Sequence, residues 1–131
     1  MVIKRVEDFK KSLNRLEEAV NKTFKYLQSE DYSFFRDSAI QRFEFTVEIM
    51  WKSIKHYLLE KEGIECVSPK SCLREFFVVS NLDEEEAKKL LRMIDDRNLT
   101  SHTYHEEVAE EIFYNLKDYL DVMKKVLKRL Q

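Results

Sequence analysis

One glycine and one proline, Gly63 and Pro69, serve all 131 residues. Sheet-containing chains turn often and draw on both residue types at those turns, so a chain this poor in them is restricted to long helices and few loops. A length of 131 residues suits one domain with a real core. The expected architecture is therefore one all-α domain over residues 1–131, an antiparallel up-and-down bundle of four to five helices. The composition is 44% hydrophobic and 37% charged, which fits amphipathic helices and excludes a disordered chain.

The spacing of apolar residues places the helices. Val6, Phe9, Leu13, Leu16, Val20, Phe24 and Leu27 recur at threes and fours and predict a first helix of about six or seven turns. The segment Ser29–Ser33 breaks that pattern, and a second helix is expected from about Phe34 to Lys61, stopping near Gly63. Ser68 followed by Pro69 is an N-cap with proline at the first helical position, opening a short helix through Leu73, Phe76 and Phe77. Asp83 with Glu86 forms a capping-box pattern ahead of Ala87, Leu90, Leu91 and Ile94. Thr103 with Glu106 repeats it ahead of Val108, Ile112, Leu116, Tyr119, Met123, Val126 and Leu130.

No apolar run approaches the roughly 20 residues of a membrane span, and the charged opening MVIKRVEDFKK lacks the core of a signal peptide. Cys66 and Cys72 have neither CxxC spacing nor a neighbouring His pair. They read as reduced thiols rather than zinc ligands, which with the absent leader gives a cytoplasmic expectation. A net charge of −2 excludes a strongly basic nucleic-acid binder, so any RNA contact has to come from a local patch.

The second helix carries two faces. Phe43, Val47, Met50, Ile54 and Tyr57 form its core stripe. Phe45 and Ile49 fall nearly opposite, flanked by Arg42, Lys52 and His56. A small apolar spot with basic neighbours is either covered by another helix of the bundle or is a partner surface, here expected to help form a homodimer.

The segment RNLTSHTY, Arg97 to Tyr104, carries the candidate chemistry. Asn98 is a natural helix-ending residue. In an extended stretch His102 and Tyr104 share a side, and Thr103 as a cap would put Tyr104 at the first turn of the last helix. A permanently charged Arg97 beside a histidine suits a phosphodiester. His102 would move a proton to or from an attacking 2′-hydroxyl or a departing 5′-oxygen, and Arg97 would stabilise charge on the phosphorus oxygens, with Asn98, Ser101 and Asp96 in support. No metal or other cofactor is required. The structural alternative is plain solvation of a helix end, with Arg97 paired to Asp95, Asp96 or Glu106. His56 is expected at the surface, His105 on the apolar face of the last helix, and Lys124, Lys125, Lys128 and Arg129 on a solvated face.

The wider wording is specific in combination. DSAIQRFEFTVEIMWKSIKHYLLEKEGIE (Asp37–Glu65), SPK (Ser68–Lys70) and DDRNLTSHTYHEEVAEEI (Asp95–Ile112) together resemble the nucleotidyltransferase substrate-binding protein family of bacteria and archaea, within the HEPN superfamily. One departure is Lys89-Leu90-Leu91, near where members often carry a tryptophan. The resemblance implies a dimerising helical bundle and a partner minimal nucleotidyltransferase encoded nearby. For related toxins the R-x4-6-H motif implies a metal-independent endoribonuclease, with Arg97 and His102 as its catalytic pair. In the R-x4-H-x-Y form it implies that the tyrosine, here Tyr104, accepts AMP from the partner. An older reading of the family implies a noncatalytic subunit that binds substrate for the nucleotidyltransferase.

Overall fold

The computed structural model describes residues 2–131. Its helices are α1 (Val2–Lys25), α2 (Tyr32–Glu62), α3 (Pro69–Val79), α4 (Glu84–Asn98) and α5 (Glu106–Leu130), with a 3-10 turn at Leu99–His102 between the last two. Every expected helix is present. α2 ends where Gly63 enters the left-handed region (φ 66°), and the Gly63 N–H closes the helix on the Leu58 carbonyl. Ser68 and Asp83 cap α3 and α4 through reciprocal bonds with Ser71 and Glu86.

Side-chain contacts give the direction of each helix. Ser12 meets Thr46, and Ser53 donates to the Arg5 carbonyl, so α1 and α2 are antiparallel. Arg36 meets Glu106 and Tyr57 meets Arg129, so α5 runs parallel to α2. Asp96 meets Tyr119 while Glu86 meets Lys125, making α5 antiparallel to α4. α1, α2, α4 and α5 thus alternate up and down. α3 lies on the connection between α2 and α4. Its start pairs with the end of α4 (Lys70–Asp95, 2.6 Å) and its last carbonyl, Val79, accepts from Arg129 of α5 at 2.9 Å.

The core is formed where these helices meet. Phe9, Leu13 and Leu16 of α1 are buried with Phe43, Met50 and Ile54 of α2, Phe76 of α3, Leu90 and Met93 of α4, and Phe113, Leu116 and Met123 of α5. The expected core stripe of α2 is buried throughout. Phe43 stacks on Tyr119 with ring centroids 5.7 Å apart. The apolar stripe of α1 loosens at its end, where Phe24 is half-buried and Leu27 lies beyond the helix. On α3, Phe76 turns inward and Phe77 outward.

Two expectations fail. Cys66 and Cys72 are not free thiols; they form a disulfide, with Cα atoms 5.2 Å apart. The Ser68–Pro69 start folds the first turn of α3 back on the preceding loop, so residues six apart in sequence become neighbours. The cysteines therefore lend no support to a reducing compartment. The second failure is the cap of α5. The helix starts at Glu106 with His105 as N-cap and no side-chain cap bond. The Thr103 hydroxyl donates instead to the Thr100 carbonyl (3.2 Å), and the Glu106 carboxylate is taken by Arg36 rather than returning to Thr103. His105 is correspondingly exposed at the helix start, off the apolar face.

A disulfide that closes so short a loop limits the unfolded chain modestly. Replacing both cysteines by serine is expected to lower stability by about 2 kcal/mol without changing the helical circular dichroism. Equal denaturation midpoints for parent and double variant would remove that contribution.

Candidate functional site

α2 holds the candidate segment against the bundle. The contacts come from Arg36, Glu44 and Glu48, spaced eight and four residues apart along one slowly winding edge. Glu48 Oε1 is 3.2 Å from Arg97 Nη2, in the last turn of α4. One turn earlier on α2, the Glu44 carboxylate accepts from the Thr100 hydroxyl, which also lies 2.7 Å from the Arg97 carbonyl. Near the start of α2, the Arg36 guanidinium grips Glu106 through two contacts, Nη1–Oε2 at 2.7 Å and Nη2–Oε1 at 3.2 Å. It also reaches Glu110 at 2.9 Å and Asp37 at 3.1 Å.

Arg36 is only 1% exposed, and its carboxylate partners lie closer to solvent. Those carboxylates raise its already high pKa against the opposing effect of burial. In return the bond from Arg36 holds the Glu106 carboxyl below the usual carboxylate range. Tyr32 donates to Glu110 at 2.9 Å, and burial followed by that carboxylate raises its phenol pKa. The Arg36 guanidinium lies over the Tyr32 ring, 5.7 Å from its centroid. The first turn of α5 is thereby pinned to the first turn of α2.

Asp95, Asp96 and Glu106 are not the partners of Arg97. Asp95 pairs with Lys70, and Glu106 with Arg36. Asp96 is buried and accepts from the Tyr119 hydroxyl at 2.5 Å and the Asn115 amide at 3.1 Å. Burial, then the Asp96 bond, raises the Tyr119 phenol pKa, and Arg92 Nε donates to the same oxygen at 3.1 Å. Asp96 therefore locks α4 to α5 beside Arg97 and does not face the turn. Arg97 itself is half-buried; among the described residues its ion pair goes to Glu48 alone, and its buried Nε–H meets no acceptor.

The rest of the segment points outward. Asn98 is the last residue of α4, as expected, but it keeps a right-handed helical conformation (φ −68°, ψ −21°), so the chain passes directly into the 3-10 turn. Asn98, Ser101, His102 and Tyr104 are all exposed, Tyr104 to 74%. His102 and Tyr104 still come together, with rings 6.2 Å apart, although the backbone between them is turned rather than extended. The His105 ring lies 4.2 Å from that of Tyr104, an arrangement missed in the sequence. Among the described residues no three His, Cys, Asp or Glu side chains are grouped closely enough to hold a metal ion. No described helix is long and apolar enough to cross a membrane.

The second candidate face joins the first. Arg42, Phe45, Ile49 and Lys52 line a groove of about 820 Å³ between α1 and α2. α1 shields Ile49 in part and leaves Phe45 53% exposed, so the face is only half covered by its own bundle. Glu48 lines the same groove while pairing with Arg97, and Lys52 lies 3.6 Å from Glu48. His56 is half-buried one turn beyond Lys52, and its pKa is lowered by burial and then by Arg5. Arg36, Glu44 and Glu48 were the residues that motif reading missed. Arg36 lies seven residues before Phe43, in phase with the core stripe, and a charge at a core position was the available signal.

The helical bundle thus carries R-x4-H-x-Y on the turn before its last helix. The chain belongs to the family described as nucleotidyltransferase substrate binding protein like, which matches residues 4–131. A Haemophilus influenzae protein described as "Probable ribonuclease HepT" is 31% identical over 100 residues, 71% of this chain. That match takes in 65% of the relative, less than two thirds of its length. A protein of known crystal structure from Thermus thermophilus is 46% identical, with a TM-score of 0.75 over 88% of this chain and 98% of that one. A Haemophilus influenzae structure, described as the fold of a substrate binding domain of a nucleotidyltransferase, shares the fold at 23% identity. Its TM-score is 0.79 over 95% of this chain and 98% of that one. A toxin–antitoxin structure with AMP-PNP shares the fold at 12% identity, with a TM-score of 0.68 over 99% of this chain and 97% of that one.

The Arg36 contacts have a measurable pH signature. Glu106 is depressed in the folded state, so its contribution is complete above the unfolded value of about 4.5 and is lost as pH falls through the lower folded value. Arg36→Met is expected to cost roughly 1–3 kcal/mol at neutral pH, tempered because the freed carboxylates can hydrate. Its stability should then fall less steeply than the parent's on acidification below 4.5. Parallel stability–pH curves for the two proteins would show that this pair does not carry the acid dependence.

Proposed function

We propose that residues 1–131 act as one HEPN-type endoribonuclease domain, held in check by a partner minimal nucleotidyltransferase that adenylylates Tyr104. The observation that carries this reading is one short turn, tied to α2 at both ends, that offers an arginine with uncommitted donors, an open histidine and an open tyrosine. The turn is held from outside itself, so its exposed side chains sit on a fixed base.

In the reaction His102 takes the proton of a ribose 2′-hydroxyl. The freed oxygen attacks the adjacent phosphorus, and the bond to the 5′-oxygen breaks. The 5′-oxygen leaves with the proton that His102 took up, and the product strand ends in a 2′,3′-cyclic phosphate. Arg97 stabilises the charge on the non-bridging oxygens. Glu48 competes with that phosphate for the guanidinium, so substrate binding includes exchange of one anion for another at Arg97.

Tyr104 supplies the control. Its phenol oxygen attacks the α-phosphorus of ATP in the partner's active site, pyrophosphate leaves, and the phenolic proton passes to a base of that enzyme. A bulky, negatively charged AMP then stands beside His102 and repels an RNA phosphate. The similarity to a protein described as a ribonuclease and membership of a family named for nucleotidyltransferases support the two halves of this reading. A homodimer is part of it by resemblance.

The second reading, a noncatalytic substrate-binding subunit of a two-component nucleotidyltransferase, is favoured by the ion pair that already engages Arg97.

With RNA in EDTA, the parent is expected to cleave and His102→Ala to lose at least about a hundredfold in rate, the usual scale of a general acid–base group. No cleavage by the parent, or equal cleavage by both, would leave the noncatalytic reading. Mixing with the partner and ATP should add one or more adenylyl units to the intact mass. Tyr104→Phe should add none, and persistence of the adduct in that variant would move the acceptor elsewhere.

A further inference from the structure

The groove between α1 and α2 carries a charge that the chain as a whole does not. Arg5, Lys11, Arg15, Arg42 and Lys52 line it, against two carboxylates, Asp8 and Glu48. Five cations against two anions make a local excess of positive charge in a protein of net charge −2. Among the described residues Arg5, Lys11, Arg15 and Arg42 enter no ion pair. One Arg42 donor is used on the Arg15 carbonyl at 2.9 Å, which holds that guanidinium on the groove wall. Beyond the groove's end the His56 pKa is lowered by burial first and then by the charge of Arg5.

The groove has a floor and an aromatic. Ser12, Thr46 and Ser53 let the α1 and α2 backbones approach closely, and their hydroxyls bond across or along the contact. Phe45 stands 53% exposed among the cations. On α2 the lining runs from Ser38 to Ser53, on the order of 22 Å at the rise of a helix. At Glu48 this lining meets the ion pair with Arg97.

We propose that this groove is a binding track for single-stranded nucleic acid, with phosphates on Lys11, Arg15, Arg42 and Lys52 and a base stacked on Phe45. Charge complementarity selects the occupant. A second copy seated by two-fold symmetry would bring this patch against itself, setting cations against cations. A polyanion meets the same charges favourably and releases its counterions. An exposed aromatic among the cations suits unstacked bases, whose faces a duplex hides. The track stands as a binding site whether or not the chain cleaves RNA; that it feeds Arg97 rests on the ribonuclease reading above.

The test separates the two. Binding of a fluorescent 2′-O-methyl oligonucleotide, which lacks the attacking hydroxyl, is followed by anisotropy across a salt series with the full chain. Lys11→Ala and Arg15→Ala should each lower the slope of log affinity against log salt by about 0.7, the value per phosphate contact on a single strand. Phe45→Ala should bind about tenfold more weakly, the scale of one lost stacked base. Lys88→Ala, on the exposed side of α4, serves as the charge control and should bind as the parent does. Failure of cleavage with this pattern intact would sink the nuclease and keep the track. The track itself is overturned if the parent does not bind the strand or if the groove variants match Lys88→Ala. It is equally overturned if duplex binds as well as single strand, or if poly-glutamate displaces the strand as well as unlabelled oligonucleotide does. Loss of dimer in sedimentation of Phe45→Glu, with nucleotide affinity kept, would give the groove to a second copy.

Discussion

The Arg36 guanidinium, almost wholly out of water, is held by two carboxylates from the first turns of α5 and by its own neighbour Asp37. A charge at that depth is tolerated only with partners, so α5 cannot leave α2 at that end without stranding it. The consequence reaches the turn before α5. With Glu106 fixed, His102, Thr103, Tyr104 and His105 have only a few residues in which to travel from the end of α4. They do so as a 3-10 turn and a short bend, which leave His102 and Tyr104 facing solvent.

α2 therefore does more than fill the core. Its apolar stripe packs against the other helices, while Glu44 and Glu48 on its flank fix Thr100 and Arg97. The flank also borders the groove shared with α1. An ion pair at Glu48 thus joins a basic groove to the arginine of the motif. Asp96 adds a second, drier anchor, since its bonds to Tyr119 and Asn115 hold the last turn of α4 against α5. Each of these ties is supplied by a residue outside the R-x4-H-x-Y pattern, as expected of a site whose reactive groups stay open while neighbouring residues provide rigidity.

The fold was legible because helices announce themselves locally. Apolar spacing located α1, α2, α4 and α5, while Gly63 marked the end of α2, Ser68–Pro69 the start of α3 and Asp83–Glu86 the start of α4. The same logic misplaced the start of α5. Thr103 and Glu106 have the spacing of a capping box, but a buried arginine 70 residues earlier takes the Glu106 carboxylate from that local bond. It misread the cysteines too, because a spacing of six says little until a turn of chain brings the two together.

What the sequence determined by itself was the all-α bundle and the presence of a candidate turn, because period, caps and motif are written within a few residues of one another. What only the tertiary structure decided was who holds that turn and what lies beside it. Arg97 has Asp95, Asp96, Glu106 and Glu107 near it in the chain, yet its partner is Glu48 on another helix. Which carboxylate a guanidinium meets depends on how helices pack, and packing is settled by the whole core. The five cations of the α1–α2 groove are likewise scattered from Arg5 to Lys52, and only the antiparallel pairing of two long helices gathers them into one surface.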